Sequence, residues 1–420
     1  QARTLTAVPS CAKVALFPRA ATMARVLPAM LAAAIGLVVL RTLAVSLAFS
    51  APPLQQGGAS AGAPALRQQR LRGFGSLRSP LGCRVATMGA EVEKVEKQKS
   101  SLWETIVTLY DFTRPHTLVG TLISVPAVHL FAAAPAIASQ GAAAVAPAML
   151  WSVVLALVPA LLINLYITGL NQIYDVEIDK VNKPYLPIAA GRLSLAGAWR
   201  ACLISLGLAV AWSWTFFGAR SLALHITLAG SAALGTAYSA PPIRMKRSPF
   251  LAAFCIIVVR GLLVQLGFYW FAMEGLGRVG LECLDGRGIA AAAFFGVFGL
   301  VIALMKDVPD VLGDELAGIK SMSVRLGPEV MLKTATIVLW TLLGTTAGGF
   351  GIMAGSAALA GQPLLALPRV SLSLAALWGL RFAIGARKDV DARDPKGVYA
   401  FYMDVWKVFY ASYLCLPLAR

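Results

Sequence analysis

From residue 117 onward the chain alternates long apolar runs with short charged loops. Nine runs of about 18 residues or more, near 117–137, 148–172, 193–217, 221–240, 250–273, 289–306, 329–353, 364–384 and 398–418, are each long enough to cross a hydrocarbon core of roughly 30 Å. In lipid every backbone polar group has to be paired within the structure, and continuous segments of this length favour helices over barrel strands. The pattern predicts an all-α polytopic membrane bundle of nine transmembrane helices over 117–420, preceded by a pre-membrane segment at 91–116. Composition agrees. The chain is 58% hydrophobic and 14% charged, against about 25% charged in soluble domains.

A formal net charge of +17 raises the possibility of a nucleic-acid partner, because basic patches track phosphate backbones. Its distribution argues for no nucleic acid. Residues 1–90 hold ten basic residues and no acid before Glu91, in an Arg-, Ser-, Ala- and Gly-rich tail that reads as a targeting region. Within it, Arg25 precedes an apolar stretch ending at Ser46-Leu47-Ala48, a signal-like segment over 23–48, and 49–90 is transit-peptide-like. Arg41 in the apolar stretch and the small-residue site favour this leader over a tenth membrane helix. A bipartite leader of this kind resembles those that carry proteins into plastids through the secretory route, so the expected location is a plastid membrane, chloroplast envelope or thylakoid.

With nine spans, the loops after the even-numbered helices hold thirteen basic residues and the others four, namely Arg220, Arg278, Arg287 and Arg369. That asymmetry places the basic loops on the cytoplasmic-equivalent side, which in a plastid is the stroma. The six cysteines are scattered with no C-x-x-C pair, so neither a disulfide framework nor a zinc site is expected.

Acidic residues sit where such a chain would not place them by default. The second span ends in NQIYDVEIDKVNKPYLP, in which Asn171, Asp175 and Asp179 recur every four residues. On a continuous helix that step turns about 400°, so the three would share one face. Carboxylates at a helix C-terminus oppose the helix dipole unless a cation is present. The sixth span ends in KDVPDVLGDELAGIK, where Asp310 and Asp314 repeat the step and Asp307 precedes them. Both motifs fall on the same predicted membrane face. Mg²⁺ takes one or two carboxylates together with phosphate oxygens, so two facing acidic ladders suit a metal–diphosphate group. Lys183, Arg244, Lys246, Lys306 and Arg114 are the cations available to complete its neutralisation.

These motifs, with RPHT-x-x-GT (Arg114–Thr121), DKVNKPYLP, GTAYS (Gly235–Ser239), YSAPPIRMKR and WK-x-FYA-x-YL-x-LP (Trp406–Pro417), resemble the UbiA superfamily of intramembrane prenyltransferases, and within it the plastid homogentisate prenyltransferases. The resemblance covers about residues 102–420. It implies Mg²⁺-dependent transfer of a prenyl group from a prenyl diphosphate, phytyl or solanesyl, to homogentisate with loss of CO₂. It further implies that Asn171, Asp175 and Asp179 hold one metal–diphosphate unit and Asp307, Asp310 and Asp314 the other, although within that second set the superfamily's D-x-x-x-D spacing is matched only by Asp310 and Asp314. Lys183, Lys306, Arg244, Lys246 and Tyr238 fall to the diphosphate, and Arg114 or His116 to the acceptor's carboxylate. Motif details lean towards phytyl transfer in tocopherol biosynthesis over solanesyl transfer in plastoquinone biosynthesis. His129 and His225 lie inside spans and are expected to pack. A transporter, the rival of another class, should keep its acids at mid-span in broken helices; here they lie at helix ends.

Overall fold

A computed structural model describes residues 102–419 apart from 218–220, 317, 319 and 320. The leader expected over 1–90, with Cys11 and Cys83, lies outside the described residues, as do Arg220 and Lys320 of the loop-charge count. All regular structure among the described residues is helical. A short helix α1 (Leu102–Phe112) leads into α2 (Pro115–Gln140) and α3 (Ala142–Tyr174). A short α4 (Val176–Asn182) precedes α5 (Leu195–Phe217), α6 (Leu222–Ser239), α7 (Pro249–Gly275) and α8 (Gly286–Met305). Two short helices, α9 (Val311–Leu316) and α10 (Met322–Leu326), join α8 to α11 (Pro328–Leu359). The chain closes with α12 (Pro363–Arg387) and α13 (Pro395–Cys415).

Each of the nine apolar runs falls on one of the long helices. Among the described residues, seven of these are long and apolar enough to cross a membrane: α2, α3, α5, α7, α8, α11 and α12. The exceptions are α6 and α13. The first is only 18 residues long and includes His225 and several Ser and Thr; the second carries Lys396, Asp404 and Lys407. Lipid gives apolar helices little reason to associate, so close backbone approach through small residues does much of the packing. Gly261 of α7 lies so near α8 that a Cβ there would stand 2.7 Å from Gly296 Cα. The same stretch, Val258–Gly267, is wound as a π-helix, a local widening frequent at functional sites.

The structure corrects the single continuous face expected for Asn171, Asp175 and Asp179. The backbone leaves the helix at Asp175 (φ −113°, ψ 13°), and Asp179 lies on α4. Two cations from the α6–α7 connection hold the Asp175 carboxylate, and Asp side chains favour such half-helical junctions over helix interiors. The four-residue relation survives as a hydrogen bond from Asp179 N to Asp175 O (2.8 Å). The second motif repeats the arrangement: α8 ends, Lys306 to Asp310 turn, and Asp314 N donates to Asp310 O (3.0 Å) at the start of α9. A long helix, a break at an Asp and a short helix therefore occur twice, and the two short helices pack together.

Candidate active site

The site begins with the turn before α2. Phe112 is fully buried against Gly169 of α3, where a Cβ would meet the ring at 2.6 Å. Gln172 Nε2 donates to the Phe112 carbonyl at 2.7 Å. This clamp turns the chain so that Arg114 adopts φ 53° and its Nη2 comes to 3.9 Å from Asp179 Oδ2. Arg244 has a similar backbone, φ 37°. Left-handed backbone costs a non-glycine residue about 1–2 kcal/mol, and such strain collects at functional sites.

Around Asp175 the contacts are dense. Lys246 Nζ pairs with Oδ2, Arg244 Nη2 reaches Oδ1 at 3.1 Å, and Asn171 Nδ2 donates to Oδ2 at 3.0 Å and to Ser239 Oγ at 3.3 Å. Lys183 pairs with Asp310, and Lys306 with Asp307 at 2.5 Å while lying 5.8 Å from the Tyr238 ring centre. Asn182 ties the two acidic motifs to each other. Its Nδ2 donates to Asp310 O (3.1 Å), and its Oδ1 accepts from Gly313 N (3.0 Å).

Arg114, Asn171, Asp175, Asp179, Asn182, Lys183, Tyr238, Lys246, Lys306, Asp307, Asp310 and Asp314 line one cavity of about 430 Å³, together with His116, Asp111, Arg192, Tyr185, Tyr399 and Tyr402. Six carboxylates there face six cations when Arg244 is included. Two of the carboxylates are poorly compensated. Burial pushes the Asp179 carboxyl up to about 6 against the pull of Arg114 and Lys183, and its Oδ2 is buried without a hydrogen-bond partner. Burial, reinforced by Asp307 and Asp310, raises Asp314 to about 7. Burial also lowers Lys246, with Asp175 opposing the shift.

The structure thus brings together every residue expected from the sequence: Asn171, Asp175, Asp179, Asp307, Asp310, Asp314, Lys183, Lys246, Lys306, Tyr238, Arg114 and His116 on the wall, with Arg244 behind Asp175. His116 sits edge-on to Trp406 at 5.3 Å, and its carbonyl accepts from Tyr410 at 2.6 Å. His129 bonds the Val125 carbonyl within its own helix, as expected of a packing residue. Asn182, Tyr185, Tyr399 and Tyr402 escaped sequence reasoning. Asn182 stands inside the DKVNKPYLP motif, but its partners lie in the second acidic motif; the two tyrosines of α13 carry no local signal.

A divalent cation fits this donor set. Among the described residues no three His, Cys, Asp or Glu side chains already close on one point, because lysines hold Asp175, Asp307 and Asp310. Mg²⁺ needs only one or two carboxylates when phosphate supplies the remaining oxygens. The orphaned Asp179 oxygen is available to such an ion. A polyanion entering a cavity whose charges already balance would bring its own counter-cations.

Gly313 supplies a test of the link between motifs. A Cβ there would lie 2.2 Å from Asn182 Oδ1. Gly313→Ala is expected to push the short helices apart and lower kcat/KM roughly tenfold, ~1.4 kcal/mol, with membrane insertion intact. Asn182→Ala should do about the same, and unchanged kinetics in both would remove Asn182 from the site's framework.

A bundle of apolar helices whose breaks deliver two acidic motifs and a ring of cations to one cavity is the architecture of an intramembrane prenyl transferase. The UbiA prenyltransferase family matches residues 129–412, and the chain belongs to that family. It is 38% identical over 321 residues to homogentisate phytyltransferase of Synechocystis sp., covering 75% of this chain and 96% of the relative. It is 33% identical over 336 residues to homogentisate geranylgeranyltransferase of Hordeum vulgare, covering 79% of this chain and 77% of the relative. A solved structure of a UbiA homolog from Archaeoglobus fulgidus bound to GPP and Mg²⁺ is similar at 17% identity and TM-score 0.45, covering 73% of this chain and 97% of that one.

Proposed function

We propose that this prenyltransferase joins a prenyl group, phytyl by preference, to homogentisate with release of CO₂, in a plastid membrane with the cavity facing the stroma. The observation that carries the reading is the meeting of the two acidic breaks with Lys183, Lys246 and Lys306 in one cavity. Relatives named for homogentisate phytyl and geranylgeranyl transfer support the acceptor and a twenty-carbon donor.

Asp175, Asp179, Asp310 and Asp314, with Asn171 and Asp307 beside them, would hold Mg²⁺. When bound, the metal supplies positive charge against which a diphosphate can depart. Lys183, Lys306, Lys246 and Arg244 turn from their carboxylates towards the phosphate oxygens, donating hydrogen bonds that strengthen as charge grows on the leaving group. The allylic C–O bond breaks with its electron pair going to the diphosphate. Tyr238, Tyr399 and Tyr402 present aromatic surface to the carbocation left behind, a contact that ring faces favour. The acceptor's ring carbon forms the new C–C bond and gives up its proton to restore the aromatic ring, while the side-chain carboxylate leaves as CO₂ and the carbon it leaves takes up a proton. Arg114, beside His116, orients that carboxylate before it leaves.

Membranes containing the protein, given homogentisate and phytyl, geranylgeranyl or solanesyl diphosphate, should release CO₂ and yield mainly the phytyl product. Dominant solanesyl transfer would replace the donor assignment. Transfer to other phenols with none to homogentisate would overturn the acceptor.

A further inference from the structure

At the end of the bundle opposite the acidic cavity, a groove of about 780 Å³ opens between α8, α11, α12 and α13. It runs along α8 from Gly286 to Phe295, about 14 Å at 1.5 Å per residue, which is close to the depth of one bilayer leaflet. Its walls are almost wholly apolar, and the few hydroxyls on them, such as Thr346 and Ser412, are spent on their own helix backbones.

The mouth differs. Arg287 lines it, with its guanidinium 4.4 Å from the Phe131 ring centre and Nη2 donating to the Phe131 carbonyl at 2.9 Å. Arg369 donates from Nη1 at 3.0 Å to the carbonyl of Met353, itself a wall residue. Among the described residues neither arginine has a carboxylate within 4.0 Å. Each also keeps a buried Nε with no partner. The acid nearest in sequence, Asp285, is already taken: it accepts from the Tyr269 hydroxyl and from Gly288 N, each at 2.9 Å. Both belong to the four basic residues that the sequence pattern assigns to the base-poor loops, and both stand at this groove.

We propose that the groove binds an anionic bilayer lipid, one acyl chain lying along α8 and the acidic headgroup held by Arg287 and Arg369. Charge decides the occupant. A neutral lipid or a bare hydrocarbon tail would leave two half-buried guanidiniums uncompensated at membrane depth, where such charges are costly, whereas basic pockets between spanning helices suit acidic headgroups.

The full chain, purified in a neutral detergent and supplied with equal phosphatidylglycerol and phosphatidylcholine of the same acyl chains, is examined by native mass spectrometry. The wild type should retain phosphatidylglycerol about thirtyfold over phosphatidylcholine, the scale set by roughly 1 kcal/mol for each of the two arginines. Arg287→Gln with Arg369→Gln should erase that preference, and the corresponding pair of Lys substitutions should keep it. Gly349→Leu fills the groove from α11, where a Cβ meets nothing within 4 Å, and should lower retention of both lipids. Equal retention by the wild type, or a preference that survives the Gln pair, overturns the proposal. A raised KM for prenyl diphosphate in Gly349→Leu would assign the groove to the donor's tail, and a dimer in place of bound lipid would assign it to a second copy; either result also overturns it.

Discussion

Asp175→Ala and Asp310→Ala should each lower turnover by about a thousandfold, ~4 kcal/mol of transition-state stabilisation. Asp175 is the meeting point of Lys246, Arg244 and Asn171, and Asp310 pairs with Lys183 and is tied through its carbonyl to Asn182. Removing either carboxylate takes away a metal ligand and leaves a part-buried cation without its partner. The second effect alone destabilises the fold, because breaking a buried pair costs about 3–5 kcal/mol. Asn substitutions keep the shape and one acceptor oxygen but not the charge, so Asp175→Asn and Asp310→Asn should insert and lose less stability than the Ala variants yet turn over almost as poorly. Glu177 is the internal control. It belongs to the same motif, but its side chain is 83% exposed and among the described residues pairs only with Lys180. Glu177→Ala should stay within about twofold of wild type, the range expected of surface changes. Near-normal turnover in both Asn variants would remove the metal-clamp mechanism.

How much of this site the sequence discloses depends on how local each feature is. The four-residue spacing of Asn171, Asp175 and Asp179, and of Asp310 and Asp314, is written in adjacent residues, and the face they share follows from counting spans between them. Lys183, Lys306 and Arg114 were legible for the same reason, as cations beside acids on one predicted side. The break at Asp175 was not. Helix periodicity continues through Ile178, and only the cations of Lys246 and Arg244, about 70 residues away in the chain, pull the carboxylate out of register. Asn182 escaped because its partners, Asp310 and Gly313, lie about 130 residues distant, a pairing that no window along one sequence contains. Tyr399 and Tyr402 sit on a helix whose polar residues keep it out of the clearly membrane-spanning set, and reach the cavity by packing alone. The π-helical turn at Val258–Gly267 holds Gly261 against Gly296 of the next long helix, a contact that local sequence does not announce.

Metal removal should have a comparably large effect. Chelation with EDTA is expected to cut activity by about three orders of magnitude, ~4 kcal/mol, and Mg²⁺ to restore it, because no side chain among the site's cations duplicates a divalent ion on a diphosphate. Protons compete for the same oxygens. Asp314 and Asp179 are raised to about 7 and about 6, so both are increasingly protonated as pH falls through that window. The metal concentration needed for half-maximal activity should therefore climb between pH 7.5 and 5.5, with little change above it. A metal requirement flat across that range would mean that neither carboxylate serves as a ligand.

The shared use of one metal–diphosphate by both acidic breaks is tested most directly by counting Mn²⁺ bound per protein, by electron paramagnetic resonance, in the presence of a non-ionising prenyl thiodiphosphate. The wild type should bind at least two ions only when the diphosphate is present, and Asp175→Asn and Asp310→Asn should each lose at least one. Equal counts in all three proteins, with or without the diphosphate, would contradict it.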